Sequence, residues 1–157
     1  MQITEGSMFI YRFLESVWEN PENFDFKASL DTFIQTKDYD PYADVEALKK
    51  DFSESMKGPR PEKALSLGMK ILEIKPFDIE THALLSQIYF RKNDQKKSHL
   101  HNYIASSLLD RILKSGDGKT YLTAYKIYNP EDELAVFCYM KKYPVQRVNH
   151  EKYDRFI

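Results

Sequence analysis

Apolar residues recur at helical spacing through the middle of the chain. Between Arg60 and Leu113, the segments PEKALSLGMKILEI, ETHALLSQIYF and KKSHLHNYIASSLLDRIL each carry one apolar stripe, which is typical of an amphipathic helix that needs a packing partner. Pro76 cannot donate the backbone hydrogen bond that would continue the first helix, and Asp78 is placed to cap the second. The pattern therefore predicts an antiparallel helix pair followed by a third, longer helix.

Three further helices are predicted ahead of this region. Phe9 to Trp18 form the apolar stripe of the first helix, with Trp18 expected in the core, and Asp25 is placed to cap the second. Val45 to Met56 carry the stripe of the third. The glycine and two prolines of Gly58–Pro61 then mark the sharpest break in the chain, and a proline suits the first turn of the next helix.

An internal repeat underlies the central helices. The tripeptide Asp44-Val45-Glu46 recurs as Asp78-Ile79-Glu80, 34 residues later, which is the period of tetratricopeptide repeats. Ala64 and Pro76 fall on the small-residue and terminal-proline positions of that repeat, whereas Ser86 stands where its pattern has glycine. We predict tetratricopeptide-like helical hairpins, and a plain bundle of helical hairpins remains the alternative.

The pattern changes in the last quarter of the chain. Residues 123–128, 145–148 and 153–157 are short, aromatic or β-branched and partly alternating, which predicts strands. Asn129-Pro130 followed by three acidic residues predicts the start of a short helix over 134–140. The expected fold is therefore mostly α with a small β part: about six helices in tetratricopeptide-like hairpins, then a short helix and a small antiparallel sheet.

The length of 157 residues predicts a single domain. Within it we expect N-terminal helices over residues 1–42, the repeat region over 43–115 and a small α+β cap over 116–157. The single cysteine, Cys138, excludes an internal disulfide. Because its neighbours are apolar, we expect a buried and inert thiol.

Three long blocks of the chain resemble a known family. ENPENFDFKASLDTFIQTKDYDPY, KALSLGMKILEIKPFDIETHALLSQIYF and SLLDRILKSGDGKTYLTAYKIYNPEDELAVF are similar to successive blocks of the bacterial, chiefly Bacteroidota, domain-of-unknown-function family numbered 4919. The resemblance runs from about Phe13 to the C-terminus, and its most specific part is the SGDGKT…TAY block. That family has no established activity, so the resemblance implies no functional residues. Many of its relatives begin with an export signal.

Repeat position predicts which residues face a partner. In tetratricopeptide-like hairpins the first helices line an inner groove, and here that groove would mix basic, polar and apolar groups, which suits an extended peptide or a partner helix. The predicted partner-binding residues are Lys49, Ser53, Met56, Ala83, Gln87, Phe90 and Arg91. We therefore expect a non-enzymatic protein- or peptide-binding scaffold module. One alternative is a structural or oligomer-forming domain; the partner's identity and the oligomeric state stay open.

A glycine-bearing loop follows the last long helix. Gly118-Lys119-Thr120 resembles the end of a phosphate-binding loop, but Leu113 stands where that motif has its first glycine, and the flanking elements come in the wrong order. We expect a tight connector. Weak anion binding by Gly116, Gly118 and Lys119 is a secondary hypothesis.

An enzyme is the alternative from another class. Such an enzyme would be a small hydrolase or transferase. Its site would lie where the helices meet the sheet, near Asp117, Lys119 and Tyr125, and no catalytic residue is assigned. His99 and His101 are two residues apart and point to different sides of a helix, so we expect no metal site and no cofactor.

Charge and hydropathy bear on partners and location. Residues 1–59 hold 12 acidic and 6 basic side chains, and residues 60–157 hold 12 and 17. This polarity would favour contact between the two halves or head-to-tail association, but ordinary solvated helices are the preferred explanation. A pI near 6.4 argues against nucleic-acid binding. Arg12 interrupts the apolar run at the start, so no secretory signal and no membrane insertion are expected. The sequence as given predicts a cytoplasmic protein, or an exported one if the true start carries a signal peptide.

Overall fold

Seven α-helices form the fold in the described part of the chain. The computed structural model describes residues 5–141, 147–149 and 154–156. None of the helices in these ranges combines the length and apolar character needed to cross a membrane. The helices are α1 (Glu5–Glu19), α2 (Phe26–Phe33), α3 (Glu46–Met56), α4 (Pro61–Ile74), α5 (Ile79–Arg91), α6 (Gln95–Lys114) and α7 (Asp132–Met140), with 3-10 turns at Pro21–Asn23 and Tyr121–Thr123.

The central helices pair as the apolar pattern predicts. α3 packs along α4, α5 packs along α6, and α4 joins the two pairs by contacting α5. The predicted caps are present: Asp25 accepts from the backbone N–H of Ala28 and Asp78 from that of Thr81, each at 2.8 Å. Pro61 lies in the first turn of α4. The helices predicted from the sequence are therefore confirmed as elements.

Aromatic rings of α1 and α2 cover one side of the central helices. The rings of Phe9 and Phe13 lie 5.9 and 5.0 Å from that of Phe77 in the α4–α5 turn, and Phe9 lies 4.7 Å from Phe33 of α2. Edge and tilted contacts at these distances add to the free energy gained by burying the rings. α4 and α5 approach closely at Gly68, where a Cβ atom would lie 2.7 Å from a leucine side chain of α5.

The predicted small antiparallel sheet is wrong. Residues 123–128, expected to be a strand, follow the second 3-10 turn without strand pairing: the backbone N–H of Lys126 donates to Ser115 Oγ at 2.8 Å, and Tyr125 packs partly buried against the helical core. What the described residues contain is a ribbon of three residues a side, β1 (Arg147–Asn149) antiparallel to β2 (Asp154–Phe156). A ribbon that short is not a layer of the fold, and the other two predicted strands run into residues outside the described ranges.

Two predictions about single core residues are also wrong. Trp18 is 50% exposed, because Val17 occupies the buried stripe of α1 and leaves Trp18 at its edge. Cys138 is exposed rather than buried. The buried residues of α7 are Asp132 and Val136, and a side chain two positions beyond Val136 points about 200° away from it around the helix.

Candidate functional site

A concave surface lies where the C-terminal ends of α3 and α5 meet the first turns of α6. Its open volume is about 460 Å³, which is in the size range of protein ligand sites. We call it the α3–α5 groove. Its lining residues are Met56, Ser86, Gln87, Phe90, Arg91 and Ser98.

Helical spacing explains why α5 supplies most of the groove. Ser86, Gln87, Phe90 and Arg91 follow one another at intervals of one, three and one residues, so they lie on one face of the helix. Leu85 and Ile88 lie on other faces and are buried in the core. The apolar side of α5 therefore holds the fold together, and the opposite side is left for the groove.

Two hydrogen bonds join the helices around the groove. Arg91 Nη1 donates to the backbone carbonyl of Met56 at 3.2 Å, which ties the end of α5 to the end of α3. The hydroxyls of Ser86 and Ser98 lie 3.3 Å apart between α5 and α6. Phe90 stays 61% exposed. The surface thus combines an aromatic ring, a thioether, hydroxyls, an amide and one cation.

Four of the seven predicted partner-binding residues line this groove, and three do not. Met56, Gln87, Phe90 and Arg91 are the four. Ser53 and Ala83 lie one turn further toward the N-terminal ends of α3 and α5, outside the lining. The seventh residue, Lys49, is engaged elsewhere.

Lys49 holds two helices together. Its Nζ lies 2.7 Å from Asp78 Oδ2 and 3.2 Å from Glu80 Oε2. Burial disfavours the ammonium form, but the charges and hydrogen bonds of Asp78 and Glu80 outweigh burial and raise the pKa of Lys49. This side chain joins α3 to the start of α5 instead of facing the groove.

Three backbone amides of the glycine-bearing loop are hydrogen-bonded within the loop. The backbone N–H groups of Asp117 and Gly118 both donate to the carbonyl of Thr123, at 2.9 and 2.8 Å, and that of Lys119 donates to Asp117 Oδ1 at 3.0 Å. Gly116 is required by close approach, since a Cβ there would lie 2.3 Å from the Thr123 carbonyl oxygen. Anion binding by Gly116, Gly118 and Lys119 stays a prediction, and the backbone N–H groups of Gly118 and Lys119 are already used within the loop.

The predicted enzyme site lies apart from the groove. The ring of Tyr125 packs on Gly118, where an added Cβ would lie 2.8 Å from it, and Asp117 and Lys119 are exposed. None of these three lines the groove or the small cavity described next. With no sheet at this end of the helices, the junction on which the hydrolase or transferase alternative depended is absent from the described residues.

Sequence reasoning missed a buried ionic cluster at the starts of α5 and α7. Lys75 is 2% exposed; its Nζ lies 2.6 Å from Glu131 Oε1 and donates to the Pro41 carbonyl at 3.1 Å. Burial, with the negative charges of Asp78 and Glu131, raises the pKa of Asp132 to about 7. The adjoining cavity, which Lys75 helps to line, holds only about 10 Å³, room for roughly one water molecule. The cluster therefore has the geometry of a structural contact between elements.

A buried histidine pair was missed as well. His82 Nδ1 lies 2.9 Å from His101 Nδ1, and His82 Nε2 lies 2.9 Å from the Pro76 carbonyl. Since a carbonyl only accepts, His82 carries its proton on Nε2 and accepts from His101 at Nδ1. No set of three or more His, Cys, Asp or Glu in the described residues is arranged to hold a metal ion. The sequence predicts that both residues lie on helices, but it does not indicate that their side chains are in contact.

Comparison with known proteins gives one match. A family model described as a domain of unknown function (DUF4919) matches residues 25–156, which is most of the chain. This protein belongs to the DUF4919 family. No curated protein and no solved structure matches. The resemblance stated from the sequence is thereby confirmed for the family, and the DUF4919 match includes every helix that lines the groove. The bacterial group and the repeat assignment stay predictions.

Proposed function

We propose that this DUF4919 protein is a non-enzymatic binding module that holds a peptide segment of a protein partner in the α3–α5 groove. The observation that carries the proposal is Phe90, 61% exposed on the wall of a concave surface and beside Met56. An exposed aromatic ring that shares a concave surface with a thioether is a contact that a partner could cover.

The chemistry of the groove suits a peptide. Gln87 and the hydroxyls of Ser86 and Ser98 supply donors and acceptors that match the amide groups of an extended chain. Phe90 and Met56 supply apolar contact. The finer proposal is that α3 and α5 act as the first helices of two tetratricopeptide-like repeats, a reading supported by their 34-residue offset in sequence and by their adjacent positions at the groove.

A random-peptide display library tests this function directly. We expect enriched peptides to bind the intact chain and to bind Phe90→Ala about tenfold more weakly or worse, because central aromatic contacts dominate peptide interfaces. Leu122→Ala is the matched control, since Leu122 is 78% exposed but lies outside the groove. Failure to enrich any peptide, or equal binding by Phe90→Ala and Leu122→Ala, would contradict the proposal.

One observation favours the second candidate, an oligomer-forming domain. Met8, Tyr11 and Trp18 are 44%, 57% and 50% exposed and lie within about 80° of one another around α1. A second copy of the chain would cover such a stripe. Sedimentation at increasing protein concentration distinguishes the two functions. A mass that rises with concentration in the intact chain, but not in Trp18→Ala, supports self-association through α1. A constant monomer mass contradicts it.

A further inference from the structure

Of the described residues that line the α3–α5 groove, Arg91 alone carries a charge. Among the described residues, no carboxylate lies within ion-pair distance of its guanidinium. Two nearby lysines are already paired: Lys92 lies 2.6 Å from Glu62, and Lys97 lies 3.8 Å from Asp94 and over the ring of Tyr89. The groove therefore presents one uncompensated positive charge.

The position of this charge is held by the fold. Arg91 Nη1 donates to the Met56 carbonyl at 3.2 Å, which uses one of the five N–H donors of a guanidinium. The remaining donors are enough for a two-point hydrogen bond to a carboxylate. Phe90 and Arg91 both line the groove, so the exposed ring and the charge border the same concave surface.

The loop after α5 indicates which kind of carboxylate fits. C-terminal carboxylates are commonly captured by a nest of free backbone amides. Here the amides of Lys92, Asn93 and Asp94 donate to the carbonyls of Ile88, Phe90 and Tyr89 at 3.0, 2.9 and 2.9 Å. With these amides occupied, a side-chain carboxylate that approaches Arg91 alone fits better than a chain terminus.

We propose that the α3–α5 groove recognises an acidic peptide segment, in which an Asp or Glu side chain pairs with Arg91 while an adjacent large apolar side chain packs on Phe90 and Met56. The proposal rests on the proposed function of the groove and adds the chemistry of its partner. It assigns Arg91 to selection between peptides and Phe90 to the strength with which any peptide binds.

Defined peptide pools test this assignment on the full chain. Three pools of acetylated, C-terminally amidated peptides carry a fixed leucine followed by Glu, Gln or Lys in an otherwise random background, and a fourth carries leucine-Gln with a free C-terminal carboxylate. We expect the Glu pool to bind intact protein at least about fivefold more tightly than the Gln pool, as a charge-assisted hydrogen bond does. Arg91→Gln should abolish that difference, and Arg91→Glu should turn the preference toward the Lys pool.

Arg12→Glu is the matched control, because Arg12 is an exposed arginine of α1 outside the groove, and it should leave the order of the pools unchanged. Circular dichroism confirms that each variant is folded. Equal binding of the Glu and Gln pools, with Phe90→Ala still weakening both, would overturn acid recognition while leaving the groove as the binding site. Preference for the free-carboxylate pool would overturn the choice of a side-chain acid. Absence of binding by every pool would remove both proposals.

Discussion

At the scale of single residues, the buried imidazoles of His82 and His101 join α5 to α6 without charge. Burial lowers the pKa of His82 to about 4, although the hydrogen bond that His82 Nε2 donates to the Pro76 carbonyl acts in the opposite direction. Burial, with His82 and Lys97 nearby, lowers that of His101 to about 3. Asp132 behaves in the opposite way, since its pKa is raised to about 7. The fold therefore holds two bases neutral and one acid protonated under mildly acidic conditions.

These groups predict how stability depends on pH. Between about pH 4 and 6.5 the unfolded chain binds two protons at His82 and His101 that the folded chain does not, while folded Asp132 keeps one proton that the unfolded chain has lost. The difference is one proton in favour of the unfolded state. These three groups together should therefore lower the free energy of unfolding by about 1.4 kcal/mol for each pH unit of acidification in this window.

Asp132→Asn removes the one proton that the folded state binds in excess. The free energy of unfolding of this variant should therefore fall about twice as steeply with acidification as that of the intact chain, over the same window. Urea unfolding at a series of pH values measures both slopes. Leu122→Ala is the control, since Leu122 is 78% exposed and carries no titratable group, so this substitution should leave the slope unchanged. Parallel slopes for the intact chain and Asp132→Asn would contradict this account of the buried groups.

At the scale of elements, the contact between α3 and the start of α5 depends on one ion pair. Asp78 is 1% exposed; its Oδ1 caps α5 through Thr81, and its Oδ2 pairs with Lys49 at 2.7 Å. Removing the cation leaves a buried carboxylate oxygen without its partner, which is destabilising in proteins. The pair is therefore a tertiary contact that holds this cap, formed between α3 and the start of α5.

Lys49→Met should lower the free energy of unfolding by about 1–3 kcal/mol, less than for a fully buried pair because the lysine side chain is 19% exposed. Lys50→Met, one residue away and exposed, should change it by less than about 0.5 kcal/mol. Thermal and urea unfolding measure both. Peptide binding at the groove should survive Lys49→Met in the fraction that stays folded. Equal stabilities of the two variants would contradict a stabilising role for the Lys49–Asp78 pair.

The helices could be predicted because their signals are local. Apolar spacing, Pro61 and the caps Asp25 and Asp78 act within a few residues of the helix that they define. Residues 123–128 have strand-like composition, but a strand needs a partner strand. Here the backbone N–H of Lys126 donates to the Ser115 hydroxyl instead. Composition alone does not show whether a partner strand exists.

The candidate site could be predicted where it depends on residues of one helix face, and not where it depends on how helices pack. Repeat position brought Met56, Gln87, Phe90 and Arg91 together, because residues on one face of a helix share a neighbourhood. It misplaced Lys49, whose role depends on a carboxylate that the fold buries beside it. The pairing of His82 with His101 likewise depends on how α5 and α6 pack, which no spacing within either helix records.

At the scale of the whole molecule, the helices divide into a covered side and an open side. α1 and α2 pack aromatic rings over the α4–α5 turn and contact α4 or α6, and α7 contacts α5 and α6. The ends of α3 and α5 are left to form the groove. A helical body with an open concave surface is the arrangement that the proposed binding function requires.

Mapping a display-selected peptide on the isotope-labelled chain by amide chemical shifts tests the central claim most directly. The account predicts that the largest shifts occur in the groove, at residues such as Met56, Gln87 and Phe90, and that they disappear in Phe90→Ala. Shifts concentrated on the exposed stripe of α1 around Tyr11 and Trp18, or in the loop from Gly116 to Thr123, would contradict the assignment of the α3–α5 groove as the working surface of this protein.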